Sequence, residues 1–157
     1  RFFVCFPKDH EITEDDVDSV LTHNREENVF TLFNAMSNSS DSAQVRLEKS
    51  LIILQKIRLS GDNSPVMIIS GLSACFRKLI LWHKEGESAF SGSLQKKQYR
   101  NVARVWTMGQ ATAILAILAS TDMAIRSDGN LMQDLMLQKM LYEIILKNGA
   151  QISSLDQ

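Results

Sequence analysis

Cysteine is scarce in this sequence of 157 residues. Only Cys5 and Cys75 are present, and no Cys-x-x-Cys or Cys/His ligand spacing accompanies them. A disulfide framework and a structural zinc site are therefore not expected. No His-x-x-x-His or Glu-x-x-His spacing occurs either, which argues against a metal site built on helices. We expect no metal and no other cofactor, and the cysteine usage fits a reducing, cytoplasmic environment.

Long apolar runs and an excess of charge of one sign are also missing. The longest apolar stretch, Ala111–Ala119, contains Thr112 and is followed by polar residues. It is far shorter than the roughly 20 residues of a membrane span, so the sequence predicts no membrane span and no membrane partner. The 17 Lys and Arg against 18 Asp and Glu give a formal charge of -1. This balance argues against a broad attraction to nucleic acid or anionic membrane.

Catalytic constellations are missing as well. Without a Gly-x-x-x-x-Gly-Lys loop, the chain on its own is not expected to hydrolyse a nucleotide. Cys75 and His83 could share a helix face and imitate a nucleophile and its base. They stand about two helical turns apart, so a buried structural cysteine is the simpler interpretation. The acidic residues that follow Thr13 suit the start of a helix better than a cation site. An enzyme is the least favoured class.

What the sequence does contain is apolar residues at helical spacing, with capping residues between them. A short helix is predicted after Thr13. Six further helices are predicted over Asn28–Met36, Asp41 or Ser42 to Gly61, Ser64 to Gly86, Leu94–Trp106, Gln110–Arg126 and Leu131–Lys147. No segment shows the alternation of a strand. The expected fold is all-α, a bundle of about six helices with short connections.

The segment Asn63–Glu85 is the most apolar of these helices. Ser64 can cap it, and Pro65 occupies the one helical position where its missing N–H costs nothing. Its expected inner face is Ile68, Leu72, Cys75, Phe76 and Leu79. Gly71 inside this helix indicates a close approach of another helix. We therefore place the segment in the middle of the domain.

The polar segment Thr22–Glu26 is the best candidate for a domain boundary. We expect residues 1–24 to be the remnant of a preceding domain with its linker, 25–149 to be the helical domain, and 150–157 to be a disordered tail. The first residues, Arg1–Phe6, lack an initiator methionine, so the chain is interpreted as an excised fragment.

Two groups of basic residues are candidates for contacts. Lys96, Lys97, Arg100 and Arg104 share one helix face with Tyr99 between them and could touch a phosphate backbone. The alternative is a solvated outer face, which the absence of net positive charge favours.

Five further residues are candidates for a subunit interface. Arg77 and Lys78 interrupt the central apolar helix and serve either subunit contacts or solubility. Met132, Met136 and Met140 recur every four residues, which is typical of an adaptable docking face or of core filling. Asp122 and Arg126 form an i, i+4 pair.

The order and spacing of several segments resemble a known family, the delta subunit of bacterial DNA polymerase III, a component of the sliding-clamp loader. The matching residues are Glu11–Val17, Asn28–Met36, Arg46, Leu47 and Leu54, Gly61, Ser64 with Pro65, Phe76–Leu79, Ala124–Ser127 and the closing Leu-rich helix. The resemblance extends over roughly Ile12 to Gly149. It departs at Phe90–Ser93, where relatives often have a proline-containing turn.

The resemblance implies that Arg1 to about Leu21 ends a small lid domain and that Glu26–Gly149 is a helical collar domain. Collars of that family associate in a ring with the other clamp-loader subunits, gamma/tau and delta-prime. The sliding clamp is contacted by an N-terminal domain that this sequence lacks, and DNA is engaged by the whole complex. The resemblance thus implies DNA replication within a DNA-directed DNA polymerase, a nucleotidyltransferase, but transfers no catalytic residue to this chain.

An alternative remains open. The chain could be an unrelated helical adaptor that binds a partner helix through the methionine stripe.

Overall fold

The computed structural model describes residues 27–61, 63–128 and 132–150. In these ranges the chain forms six α-helices and one short 3-10 helix, and no strand. The helices are α1 (Val29–Met36), α2 (Ala43–Ser60), α3 (Pro65–Glu85), the 3-10 helix (Gly86–Ala89), α4 (Ser93–Val105), α5 (Met108–Asp128) and α6 (Gln133–Ile145). The predicted all-α bundle of about six helices is confirmed. The short helix after Thr13, the lid remnant and nearly all of the predicted disordered tail lie outside the described residues.

The starts of the first three helices follow from local hydrogen bonding. The Asn28 side chain accepts from the amides of Phe30 and Thr31, while Thr31 Oγ1 accepts from the Asn28 amide at 2.9 Å. Ser42 caps α2, and Ser64 Oγ accepts from the Met67 amide at 3.2 Å in α3. Each side chain satisfies a backbone N–H that has no partner inside its helix.

The segment 107–109, which separates the predicted helices Leu94–Trp106 and Gln110–Arg126, contains a helix start. Thr107 Oγ1 accepts from the Gln110 amide at 3.2 Å, and Gln110 Oε1 accepts from the Thr107 amide at 3.0 Å. This reciprocal capping box begins α5 at Met108, so Gly109 lies inside the first turn instead of ending a segment. The predicted start at Gln110 is corrected accordingly.

The last helix is shorter than the sequence predicts. It runs from Gln133 to Ile145, whereas the sequence predicts Leu131–Lys147, and residues 129–131 lie outside the described residues. Its end is closed by Asn148 and Gly149 at positive φ, with the Gly149 amide bonded to the Glu143 carbonyl at 2.9 Å. This is the left-handed ending that glycine allows.

Helix α3 lies in the middle of the bundle, as predicted. It packs against α1, α4 and α5, while α2 packs against α1 and α6, and α6 also contacts α5. The expected inner face of α3 is buried without exception. Gly71 has the predicted packing reason, because a Cβ at this position would stand 2.6 Å from Val29 Cγ1 of α1.

Aromatic rings join the helices around α3. Phe76 meets Phe33 edge-on at a centroid distance of 5.4 Å and Trp106 at 5.0 Å. Tyr99 of α4 stacks on Phe90 at 5.3 Å. Phe90, in the segment where the family resemblance is interrupted, is therefore a buried contact of the core, and its ring fixes the path between α3 and α4.

Several apolar residues of the predicted helices are exposed, among them Phe30, Ile52, Leu94 and Leu135. Periodicity identifies an apolar face, but the width that is actually covered depends on neighbouring helices.

Two helical segments, Pro65–Ala89 and Met108–Ser127, are long and apolar enough to cross a membrane by length and composition alone. They pack against each other within the bundle, and both contribute buried residues to its core. Of the most apolar 18-residue window of each segment, 39% and 28%, respectively, is buried inside the bundle. The absence of a membrane partner remains a prediction.

Candidate functional site

A groove runs between α3 and α5; of the predicted contact residues Arg77 and Lys78, Arg77 lines it and Lys78 does not. Both side chains are exposed. The groove is lined by Ile69, Ser70, Ser73, Arg77, Leu115, Ala119 and Asp122. Within the described part of the chain, Arg77 forms no ion pair. Its guanidinium therefore offers unused donors at the edge of the bundle.

The opposite wall of this α3–α5 groove carries the Asp122 carboxylate, in which only one of the two oxygens has a hydrogen-bond partner. Asp122 Oδ2 accepts from Arg126 Nε at 3.1 Å, which confirms the predicted i, i+4 pair. Asp122 Oδ1 is enclosed and has no hydrogen-bond partner among the described residues. Buried polar atoms normally have a hydrogen-bond partner. The groove therefore combines an unused donor group, the Arg77 guanidinium, with an unused acceptor, Asp122 Oδ1.

A second surface lies between α2 and α6. It is lined by Leu51, Ile52, Leu54, Gln55, Arg58, Leu59, Asp134 and Gln138, and we name it the α2–α6 surface. Arg58 Nε and Asp134 Oδ1 are 2.7 Å apart across it and tie the two helices together. Ile52 and Leu59 project beside this pair, and Leu59 is 79% exposed.

The three methionines of the predicted stripe do not form one exposed face. Met132 is exposed, Met136 is half-buried, and Met140 is only 1% exposed because it fills the core. Met140 is therefore corrected from a candidate contact to a core residue. Met136 and Met140 line a third concavity between α5 and α6, together with Lys139 and Glu143.

The predicted basic face lies on α4. Lys97, Arg100 and Arg104 are exposed and Lys96 is half-buried. Arg100 forms an ion pair with Glu87 of the 3-10 helix, which neutralises one of the four charges. The others form no ion pair within the described residues, so a phosphate contact through them stays a prediction.

Tyr99 does not belong to that face. It is buried, where its ring stacks on Phe90 and its side chain lies beside Cys75. Burial raises the pKa of the Tyr99 hydroxyl, and neighbouring Cys75 raises it further. The expectation that Tyr99 stands between basic residues toward a phosphate backbone is corrected, because α4 turns this residue toward α1 and α3.

Cys75 and His83 have separate structural positions. Burial raises the pKa of the Cys75 thiol, and a hydrogen bond with Tyr99 opposes this only in part. His83 Nε2 lies 2.9 Å from the Trp106 carbonyl and donates to it, which satisfies an acceptor at the end of α4. The thiol is therefore protonated and enclosed, and the imidazole is engaged elsewhere.

A buried arginine was missed by sequence reasoning. Arg46 Nη1 donates to the Met36 carbonyl at 3.1 Å, and the guanidinium lies 6.0 Å from the centre of the Trp106 ring. Burial lowers its pKa, while Asp41 raises it. The available signal was its position next to Leu47 on the inward side of α2. This arginine links α1 to α2 and is not a surface charge.

No group of three His, Cys, Asp or Glu side chains in the described ranges is arranged to hold a metal ion. Comparison of the chain with family models, curated proteins and solved structures finds no match. The class that the geometry defines is an all-α helical bundle whose most developed external features are grooves between its helices.

Proposed function

We propose that this chain is the helical collar of a delta subunit of the bacterial clamp loader. In this role it associates with gamma/tau and delta-prime and so helps assemble the complex that places the sliding clamp on primed DNA. The proposal is supported by the sequence resemblance together with the α2–α6 surface. The clamp contact belongs to a domain outside this sequence, and DNA is engaged by the whole complex.

The α2–α6 surface is the observation that carries the proposal. Ile52 and Leu59 lie about two turns apart on one side of α2, so their side chains project together. Exposed apolar groups at the centre of a groove, with a polar pair beside them, are typical of association surfaces. Burial of an aliphatic side chain of this size contributes about 1.5–3 kcal/mol.

A subunit of a ring meets two neighbours and needs two surfaces. The α3–α5 groove supplies the second candidate, because Arg77 and Asp122 offer one unused donor group and one unused acceptor. Such polar groups at an interface contribute specificity and fix the orientation of a partner.

Co-elution with purified gamma/tau and delta-prime tests the proposal. The wild-type chain is expected to enter the complex. The double variant Ile52→Lys with Leu59→Lys is expected to lose at least about 100-fold in affinity, because two apolar contacts of the size above are removed. Leu94→Lys is the matched control, since Leu94 is 84% exposed on α4, outside the α2–α6 surface. Failure of the wild-type chain to co-elute at micromolar concentration contradicts the proposal.

A second candidate function is an adaptor that binds a partner helix. It is favoured by the position of Met136 at the concavity between α5 and α6, with Met132 exposed on the preceding turn. Replacement of both methionines by serine is expected to abolish binding of an amphipathic peptide helix if this function holds. If the Ile52 and Leu59 variant loses binding to gamma/tau and delta-prime while the methionine variant keeps it, the collar function is favoured instead.

A further inference from the structure

We propose that residues 13–21 of this chain dock on an exposed face of α3 in the same molecule. Between Met67 and Leu81, the exposed residues of α3 recur every three or four positions, so their side chains share one side of the helix. We name this side the α3 open face, and it consists of Met67, Ser70, Ala74, Arg77, Lys78 and Leu81. The inference does not rest on the proposed function, because it concerns a contact inside one chain.

The α3 open face combines apolar and positively charged groups. Met67 is 56% exposed and Leu81 is 36% exposed, and Ala74 lies between them along the helix. Arg77 and Lys78 are the charged residues of the face, and neither forms an ion pair within the described residues. No acidic residue is among the six that define the face. The face therefore suits a partner that offers apolar side chains together with carboxylates.

Residues 13–21 have this complementary chemistry. The segment reads Thr-Glu-Asp-Asp-Val-Asp-Ser-Val-Leu, with four carboxylates and no lysine or arginine. In the helix that the sequence predicts here, Val17, Val20 and Leu21 stand at i, i+3 and i+4 and form one apolar stripe. A helix this short is marginal by itself and is stabilised mainly by packing of its apolar side. The stripe matches the apolar residues of the α3 open face, and the carboxylates match its two cations.

The position at which the chain enters the bundle brings the segment to this face. Val29, the first residue of α1, lies against Gly71, where a Cβ would stand 2.6 Å from Val29 Cγ1. Gly71 is about one helical turn beyond Met67, so α1 begins beside the α3 open face. The linking residues 22–28 span at most about 23–25 Å. The face is about 21 Å long from Met67 to Leu81, so the linker is long enough to reach all of it.

The linker also favours this occupant over a separate molecule. A segment joined to its binding surface by a short linker has an effective concentration of about millimolar. A second copy of the chain or another protein would have to exceed that concentration or bind far more tightly. The α3 open face is therefore assigned to residues 13–21 of the same chain.

Paramagnetic broadening of methionine methyl NMR signals tests this contact in the full chain. The spin label is attached to Ser19→Cys in a Cys5→Ser background, since the Cys75 thiol is buried and its pKa is raised, so that it does not react. Strong broadening is expected at Met67. Met132, which is exposed next to α6, is the internal control and is expected to keep its line width. Equal broadening at both methionines, or none at Met67, overturns the inference.

Charge reversal separates docking from the proximity of a tethered label. Arg77→Glu with Lys78→Glu is expected to remove most of the broadening at Met67, because two attractions become repulsions. Lys56→Glu with Lys97→Glu makes the same change in charge at exposed positions on α2 and α4 and is the matched control, expected to keep the broadening. Circular dichroism confirms that each variant keeps its helices. The inference is overturned if the broadening is unchanged in the α3 variant or is lost only in the control.

Two further samples complete the test. Val17→Ser with Leu21→Ser removes the apolar stripe and is expected to abolish the broadening at Met67 as well. In a mixture of isotope-enriched chain without a label and spin-labelled chain without isotope enrichment, no broadening is expected, because the contact lies within one molecule. Broadening at Met67 in this mixture identifies a second copy as the occupant and overturns the inference, as does broadening that survives loss of the stripe.

Discussion

Replacing Gly71 with alanine tests how α3 and α1 are held together. A Cβ at Gly71 would stand 2.6 Å from Val29 Cγ1, 3.2 Å from Val29 Cβ and 3.3 Å from Val29 Cγ2. Because valine is branched at Cβ, one χ1 rotamer is strongly preferred in a helix, which restricts a rotation that would turn the Val29 Cβ hydrogen toward Gly71. Val29 must therefore adopt a different rotamer or one of the two helices must shift.

The net magnitude follows from two opposing effects. Overpacking a core costs about 1–3 kcal/mol. Alanine inside a helix is about 1 kcal/mol better than glycine. The shortest contact is to a methyl group of Val29, whose rotation is restricted, so we expect the steric cost to win and Gly71→Ala to lower the free energy of unfolding by about 1–2 kcal/mol. For a chain of this length that corresponds to a melting temperature about 2–8 °C lower.

Urea unfolding followed by circular dichroism measures this effect. Gly109→Ala is the matched control, because a Cβ at Gly109 meets nothing within 4 Å. It is expected to stabilise the chain by up to about 1 kcal/mol. In a Val29→Ala background the 2.6 Å contact is absent, so Gly71→Ala should be neutral or stabilising there. If Gly71→Ala stabilises the otherwise wild-type chain as much as Gly109→Ala does, the close approach of α1 and α3 is refuted.

Three further predictions concern stability. Thr107→Ala removes the capping box of α5 and should lower the free energy of unfolding in urea by about 1 kcal/mol. An unchanged free energy of unfolding would contradict this role of Thr107. Arg46→Ala and Arg46→Met both leave the Met36 carbonyl without its donor, but only alanine also leaves a gap. Arg46→Ala should therefore be at least about 1 kcal/mol less stable than Arg46→Met. Equal stabilities would refute a packing role for Arg46. The pKa values of Cys75 and Tyr99 are raised above their ordinary 9.0 and 10.0, so the native state holds their protons longer than the unfolded state. Stability should therefore be insensitive to these groups at pH 7 and should fall as pH rises above about 9. Urea midpoints at pH 7, 9 and 10.5 check this, and Tyr99→Phe should flatten the decline.

The parts of the fold that the sequence predicted depend on local chemistry. Ser64, Pro65 and Gly86 mark the ends of α3 through hydrogen bonds and backbone geometry within a few residues. The inner face of α3 was predictable because this helix is contacted on several sides, so nearly every apolar position finds a partner. Thr107 and Gln110 carry a readable capping signal, but Gly109 between them equally suits a break between two helices.

The parts that were not predicted depend on the arrangement of neighbouring helices. Leu94 and Leu135 belong to helices with apolar spacing, yet both side chains are exposed. The burial of Glu143 had no signal either, because Lys139 four residues before it resembles an ordinary surface pair. Tyr99 was assigned to the basic face since its neighbours are charged, and only the aromatic cluster explains why it turns inward.

The candidate association residues differ in how far the sequence could specify them. Arg77 and Lys78 were singled out as charges on an apolar helix, and both are exposed. Asp122 was noticed only as the partner of Arg126, yet its second oxygen faces an enclosed position without a donor. The sequence specified which charges were unusual, but which of their atoms lack a partner is decided by the packing of α3 against α5.

Competition for assembly tests the collar proposal most directly. Purified chain is added in increasing amounts to gamma/tau and delta-prime together with a full-length delta subunit, and the delta retained in the complex is measured. The proposal predicts that the chain displaces full-length delta in proportion to its concentration, and that the Ile52 and Leu59 variant displaces it far less. Full retention of delta at a large excess of folded wild-type chain would contradict the proposal.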